Sequence, residues 1–289
     1  VSYVNPSISI DVKDGHIVVK DNGIGMSAEE VETNFWTAGK SGKNNDMARA
    51  AGVVGTFGIG AFANFGVCTH LSLSTKKIYS NIRCLCNADR EDLDNIEMNS
   101  INDSDTEYGT IIDATMDPDR QISAQDALDY ITQYVQYLKI PVFFNGELIS
   151  QNDYKEGCNG LDFFHIQKEY AGLLYSFDYA INVYSKSPVQ TKAFIKNIHI
   201  GNLDYEGDLM LDTQKDRLFG LRNGFGLSPI LLNSYYSFGG IVNMSMLKPT
   251  AGREAINQSC LGILQRLMHV WEDVFSLYIS EQEYADKYR

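Results

Sequence analysis

DNGIGMSAEEVETNFWTAGKSGK, residues 21–43, is the stretch that orients everything around it. On its N-terminal side, residues 8–20 alternate about an Asp14-Gly15 pair, the pattern of a β-hairpin whose second strand ends at Asp21. An aspartate that ends a strand beside Gly23 and Gly25 can aim a fixed carboxylate into a cleft and accept a hydrogen bond from an exocyclic amine. The bare glycines let a planar ring approach the backbone. The same string also reads as an ordinary Asn-Gly turn, so on its own it is weak. Ser27 followed by Glu30 has the spacing of a capping box, and Glu29 and Glu30 sit where a helix N-terminus favours negative charge. This predicts a short helix from about Ser27.

Further along, GTFGIG at residues 55–60 supplies Gly55, Gly58 and Gly60 around Phe57, and their backbone N–H groups can wrap phosphates where a helix begins. The string lacks the Lys-Ser/Thr ending of a P-loop, and its GxxGxG spacing is not that of a dinucleotide-binding fingerprint. Lys40, among the small polar residues between the two glycine elements, is a candidate phosphate partner or an ordinary surface lysine. Gly109-Thr110 opens a strand, where the Thr110 hydroxyl can bond to a base or to a water fixed by Asp21. The order of Asp-Gly-Gly turn, glycine-rich lid and Gly-Thr strand makes the three specific together.

The remaining pattern is that of an α+β protein. Residues 71–76 and 82–88 alternate as strands, and the acidic stretch 89–107 reads as a solvated hairpin or loop. Ser123 with Asp126 starts a helix carrying Leu128, Ile131, Val135 and Leu138 at helical spacing before Pro141. Residues 142–150 form a hairpin about Asn145-Gly146, and 256–278 form a long terminal helix with an apolar face. A chain of 289 residues accommodates two domains, here 1–120 and 121–289. The net charge of −13 disfavours nucleic acid as the main partner. The five cysteines are scattered. Cys84 and Cys86 fit alternate positions on one face of a strand, and all five read as reduced thiols of a cytoplasmic protein. The five histidines show no metal spacing, no apolar run is long enough to cross a bilayer, and no signal peptide is evident.

In order and spacing, the segments DNGIGMSAEEVETNFWTAGKSGK, GVVGTFGIGAFANFGVC and YGTIID resemble the GHKL superfamily of ATPases, and among its members most closely the heat shock protein 90 family. The resemblance covers about the first 115 residues and implies a Bergerat-type two-layer α/β sandwich. It implies that Asp21 binds the adenine amine, Gly23, Gly25 and Met26 line the base pocket, and Asn34 and Lys40 reach toward ribose and phosphates. Gly55, Phe57, Gly58 and Gly60 would cradle phosphates, and Thr110 would assist at the base. More weakly, LKPTAGREAINQSCLGILQRL (residues 247–267) resembles the middle domain of these chaperones, an α/β domain of ribosomal S5-like type. That domain places an arginine, here Arg253, on the γ-phosphate, with Gln258 as polar neighbour.

ATP, ADP and Mg²⁺ are the implied ligands, client or partner proteins and a homodimer the implied assembly. Family members carry an E-x-x-x-N helix ahead of the first strand pair, holding the general base and the metal-binding Asn. No such pattern precedes Val12, so the chain reads as a nucleotide domain without its first helix, and catalytic turnover stays open. The alternatives are a nucleotide-dependent interaction module without turnover and a DNA-clamp ATPase of the same superfamily.

Overall fold

The computed structural model describes residues 5–36, 63–158, 160–250 and 255–288. The chain divides into two compact units, Val1–Gln151 and Asn152–Arg289, each built on a mostly antiparallel sheet. Among the described residues no helix is long and apolar enough to cross a membrane.

In the first unit, β1 (Ile8–Lys13) and β2 (His16–Asp21) form the expected hairpin about Asp14-Gly15. β3 (Cys68–Lys76), β4 (Ile82–Asp89), β5 (Glu97–Asn102) and β6 (Gly109–Met116) follow, then β7 (Val142–Phe144) and β8 (Glu147–Leu148). The sheet order is β5-β4-β3-β6-β2-β1-β7-β8. Part of the acidic stretch is therefore a strand, β5, exposed along its whole length at the sheet edge. An all-polar or exposed strand shows no apolar alternation, so periodicity gives no signal for it.

The helix expected from Ser27 is a single turn, α1 (Ala28–Glu30), with the complete capping box: Glu30 N–H donates to Ser27 Oγ and Ser27 N–H to Glu30 Oε2. It runs into a π-helical turn, Val31–Phe35, closed by Trp36 N–H donating to Val31 O. Val31 packs on Leu73, Cys84 and Cys86, so these two cysteines do share the covered face of β4. α2 (Ala124–Val135) is capped by Ser123, whose Oγ accepts from Asp126 N–H. It ends before Leu138, in contrast to the sequence pattern, which runs on to Pro141.

Residues 121–151 were expected to open the second domain, but they complete the first unit. β7 pairs in parallel with β1, Ile8 opposite Val142 and Ile10 opposite Phe144, and Asn145 Oδ1 accepts from Val12 N–H. A parallel pairing between strands some 130 residues apart leaves no local mark in the sequence.

The second unit has β9 (Phe164–Tyr170), β10 (Leu173–Lys186), β11 (Val189–Ile200), β12 (Leu203–Asp212), β13 (Leu218–Arg222), β14 (Phe225–Ile230) and β15 (Gly239–Met244). Their order is β14-β13-β15-β12-β11-β10-β9. The terminal helix α3 (Gln258–Ser280), capped by Asn257, lays Leu264, Leu267, Trp271 and Phe275 against Tyr175, Phe177, Ile195, Leu211 and Met244. Both units are thus α+β, a sheet with helix on one face.

Candidate functional site

Asp21 is the last residue of β2, and the sheet register sets its neighbours. Across β6 it faces Thr110, and Thr110 in turn faces Thr75 of β3, which faces Cys84 of β4. Residues opposite one another on antiparallel strands point to the same side. Asp21, Thr110 and Thr75 therefore form one polar row at the end of the face that Leu73 and Ile112 continue as apolar core.

Asp21 Oδ1 accepts from Gly23 N–H at 2.8 Å, so the aspartate ties its own turn, as an Asx turn does. No hydrogen bond from a described residue reaches its other oxygen. Gly25 has φ +62°, and a Cβ there would lie 1.9 Å from Lys76 O. Gly109 has φ +122°, and its Cβ would lie 2.1 Å from Asp21 O. These two glycines are required by the close approach of backbone to backbone within the protein, for Gly25 an additional reason beside the access for a ring inferred from the sequence.

Thr75, fully buried, is the residue the sequence reading missed. Its Oγ1 accepts from Met26 N–H at 3.0 Å, donates to Gly109 O at 3.1 Å and lies 3.0 Å from Thr110 Oγ1. Thr75 has one proton and a carbonyl oxygen can only accept, so the hydrogen between the threonines comes from Thr110. Thr110 Oγ1 is left with lone pairs alone. The row then presents two acceptors, the Asp21 carboxylate and the Thr110 oxygen, which suits a ligand that donates, such as an exocyclic amine. A threonine inside a strand carries no mark that could have singled out Thr75.

The surroundings are braced by ion pairs. Lys77 Nζ meets Glu30 Oε1 at 2.6 Å, tying α1 to the end of β3. Lys76 is buried, and its ammonium donates to the backbone oxygens of Asp103, at 2.8 Å, and Asp105. Arg83 Nε meets Asp103 Oδ2 at 2.6 Å. The Asp105 N–H, then the Arg83 guanidinium, hold the Asp103 carboxyl below the usual carboxylate range. Acidic residues 103–107 are thus pinned beside the site by cations, which is more order than a solvated loop implies.

Met26 is half-buried against Val31, and Asn34 is half-buried in the π-helical turn. Gln258 is exposed at the first turn of α3. Lys40, Gly55, Phe57, Gly58, Gly60 and Arg253 lie outside the described residues. Four histidines outside the row sit on aspartates: His16 on Asp113, His70 on Asp89, His165 on Asp178 and His199 on Asp204. No group of three or more metal-type ligands occurs among the described residues.

A sequence model of the family described as histidine kinase-, DNA gyrase B-, and HSP90-like ATPase matches residues 4–115, the segment that holds the whole polar row. Residues 4–115 are thus similar in sequence to this ATPase family. Chaperone protein HtpG of Fusobacterium nucleatum subsp. nucleatum is 29% identical over 160 residues, covering 50% of this chain and 25% of that protein. HtpG of Idiomarina loihiensis is 26% identical over 173 residues, 54% of this chain and 26% of the relative. HtpG of Rickettsia canadensis is 31% identical over 78 residues, 25% of this chain and 12% of the relative. At most, then, this chain spans about a quarter of the length of these chaperones. The HtpG matches agree with the heat shock protein 90 resemblance read from the sequence.

Proposed function

We propose that this ATPase-family unit binds ATP or ADP as part of a chaperone-like protein, with Asp21 anchoring the adenine amine. The observation that carries the reading is the row Asp21–Thr110–Thr75, which places a carboxylate and a hydroxyl acceptor on the same side of the sheet. An exocyclic amine has two N–H donors to meet them. The remaining assignments rest on the family resemblance: Asn34 and Lys40 toward ribose and phosphates, the glycine-rich lid closing over the phosphates, and Arg253, with Gln258 beside it, at the γ-phosphate. A guanidinium there would offset charge on the transferred phosphoryl group.

Mg²⁺ accompanies ATP in such sites, but the described residues offer no cluster of ligands for it, and no hydrolytic step follows from them.

Titration calorimetry with ATP on the unaltered chain and on Asp21→Asn tests the anchor. Loss of the charge-assisted hydrogen bond should weaken ATP by about tenfold or more, from roughly 1.5–3 kcal/mol. Equal affinities for ATP in the two proteins would remove Asp21 from the base pocket.

A further inference from the structure

We infer that the second unit carries a binding site for an alkylammonium group, built around the buried carboxylate of Glu272. A cavity of about 370 Å³ opens beside α3, lined by Tyr170, Tyr235, Tyr236, His269, Glu272 and Asp273 among others. Glu272 is only 3% exposed. Its Oε1 accepts from Ser234 Oγ at 2.6 Å and from Tyr236 N–H at 3.4 Å, whereas Oε2 is buried with no hydrogen-bond partner among the described residues. A buried carboxylate oxygen left in this way has lost its water and gained nothing, and folded proteins seldom keep such an atom without a role.

No Lys or Arg among the described residues lines the wall. Gln265 is oriented by Asn233, whose N–H donates to Gln265 Oε1 at 2.8 Å and whose carbonyl accepts from Gln265 Nε2 at 2.8 Å. The same Nε2 lies 3.0 Å from His269 Nε2, and His269 Nδ1 lies 3.2 Å from Tyr170 Oη. Two carboxylates and three tyrosine rings remain, and ring faces attract cations.

The cation is organic. The cavity is far larger than one metal ion, and no three metal-type side chains converge there or elsewhere among the described residues. It is an ammonium rather than a guanidinium, because the planar fork needs both carboxylate oxygens and Glu272 Oε1 is already taken. A lysine side chain of a partner polypeptide and a free alkylamine share this chemistry. The site lies wholly within the second unit and stands apart from the nucleotide reading.

The test is NMR of the full chain carrying ¹³C-labelled tyrosine, titrated with butylammonium chloride against sodium chloride at matched ionic strength. Saturable shifts of Tyr235 and Tyr236 are expected, with butylguanidinium clearly weaker. Glu272→Gln should lower the affinity by about tenfold or more. Tyr235→Ala, at a position 89% exposed and outside the core, should lower it by about twofold to fivefold without touching stability. Spermidine and a lysine-bearing peptide, run in parallel, identify the source by whichever binds more tightly, and either order supports the site. Shifts no larger than those with sodium chloride, equal affinity in both variants, or butylguanidinium binding as well as butylammonium would overturn the inference.

Discussion

At the scale of single residues, the polar row depends on one hydroxyl that contacts three groups. Thr75→Val keeps the shape but leaves Met26 N–H without its acceptor and frees the Thr110 proton from Thr75. Stranding a buried donor costs about 1–3 kcal/mol, so the variant should melt at lower temperature in calorimetry. It should also bind ATP more weakly, since Thr110 would then offer a donor where an acceptor is wanted. A variant that melts like the unaltered chain and binds ATP equally well would show that Thr75 positions nothing. Asp21 could be singled out from sequence only in company, because the glycine-rich stretch 55–60 and Gly109-Thr110 follow it in order. Thr75 was not, because its importance arises only from being opposite Thr110.

At the scale of elements, α1 is a single turn and cannot stand by helix propensity. Its capping box and the Lys77–Glu30 pair hold it to β3. Burial pushes the Glu30 carboxyl up, but the Lys77 and Ser27 hydrogen bonds and the Lys77 charge outweigh it, so the pKa falls below its ordinary value of 4.5. A depressed folded-state pKa means stabilisation that is complete above the ordinary value and lost as pH falls through the lowered one. α1 should therefore stay docked at neutral pH and loosen only below about pH 4.5, which amide exchange at Ser27 and Val31 would report. Loosening already between pH 6 and 7 would contradict it. On the neighbouring strand, burial and then the adjacent Cys86 raise the Cys84 thiol to about 11. A thiol reagent at pH 8 should leave Cys84 unmodified until the protein is denatured. The cysteine pair was readable as strand alternation, whereas the π-helical turn after α1 has no pattern that distinguishes it from ordinary helix.

At the scale of the whole molecule, the boundary of the first unit decides what can fold alone. A chain ending at residue 120 lacks β7, leaving the β1 edge with unpaired N–H and C=O groups, while a chain ending at residue 151 keeps the parallel pairing of Ile8–Ile10 with Val142–Phe144. The longer piece should be monomeric and melt cooperatively, and the shorter should aggregate or melt well below it, as scattering and calorimetry would show. Equal behaviour would mean that β7 and β8 are dispensable. Local sequence was enough for the β1–β2 hairpin, the Ser27–Glu30 capping box, the apolar face of α3 and the position of Asp21 at a strand end, because each depends on residues a few positions apart. Only tertiary structure decided that Thr75 joins Asp21 and Thr110 in one row, that residues 121–151 complete the first unit, and that Glu272 ends buried with an oxygen unpaired among the described residues. Those outcomes are set by strand register and packing between distant segments, which no short window of sequence contains.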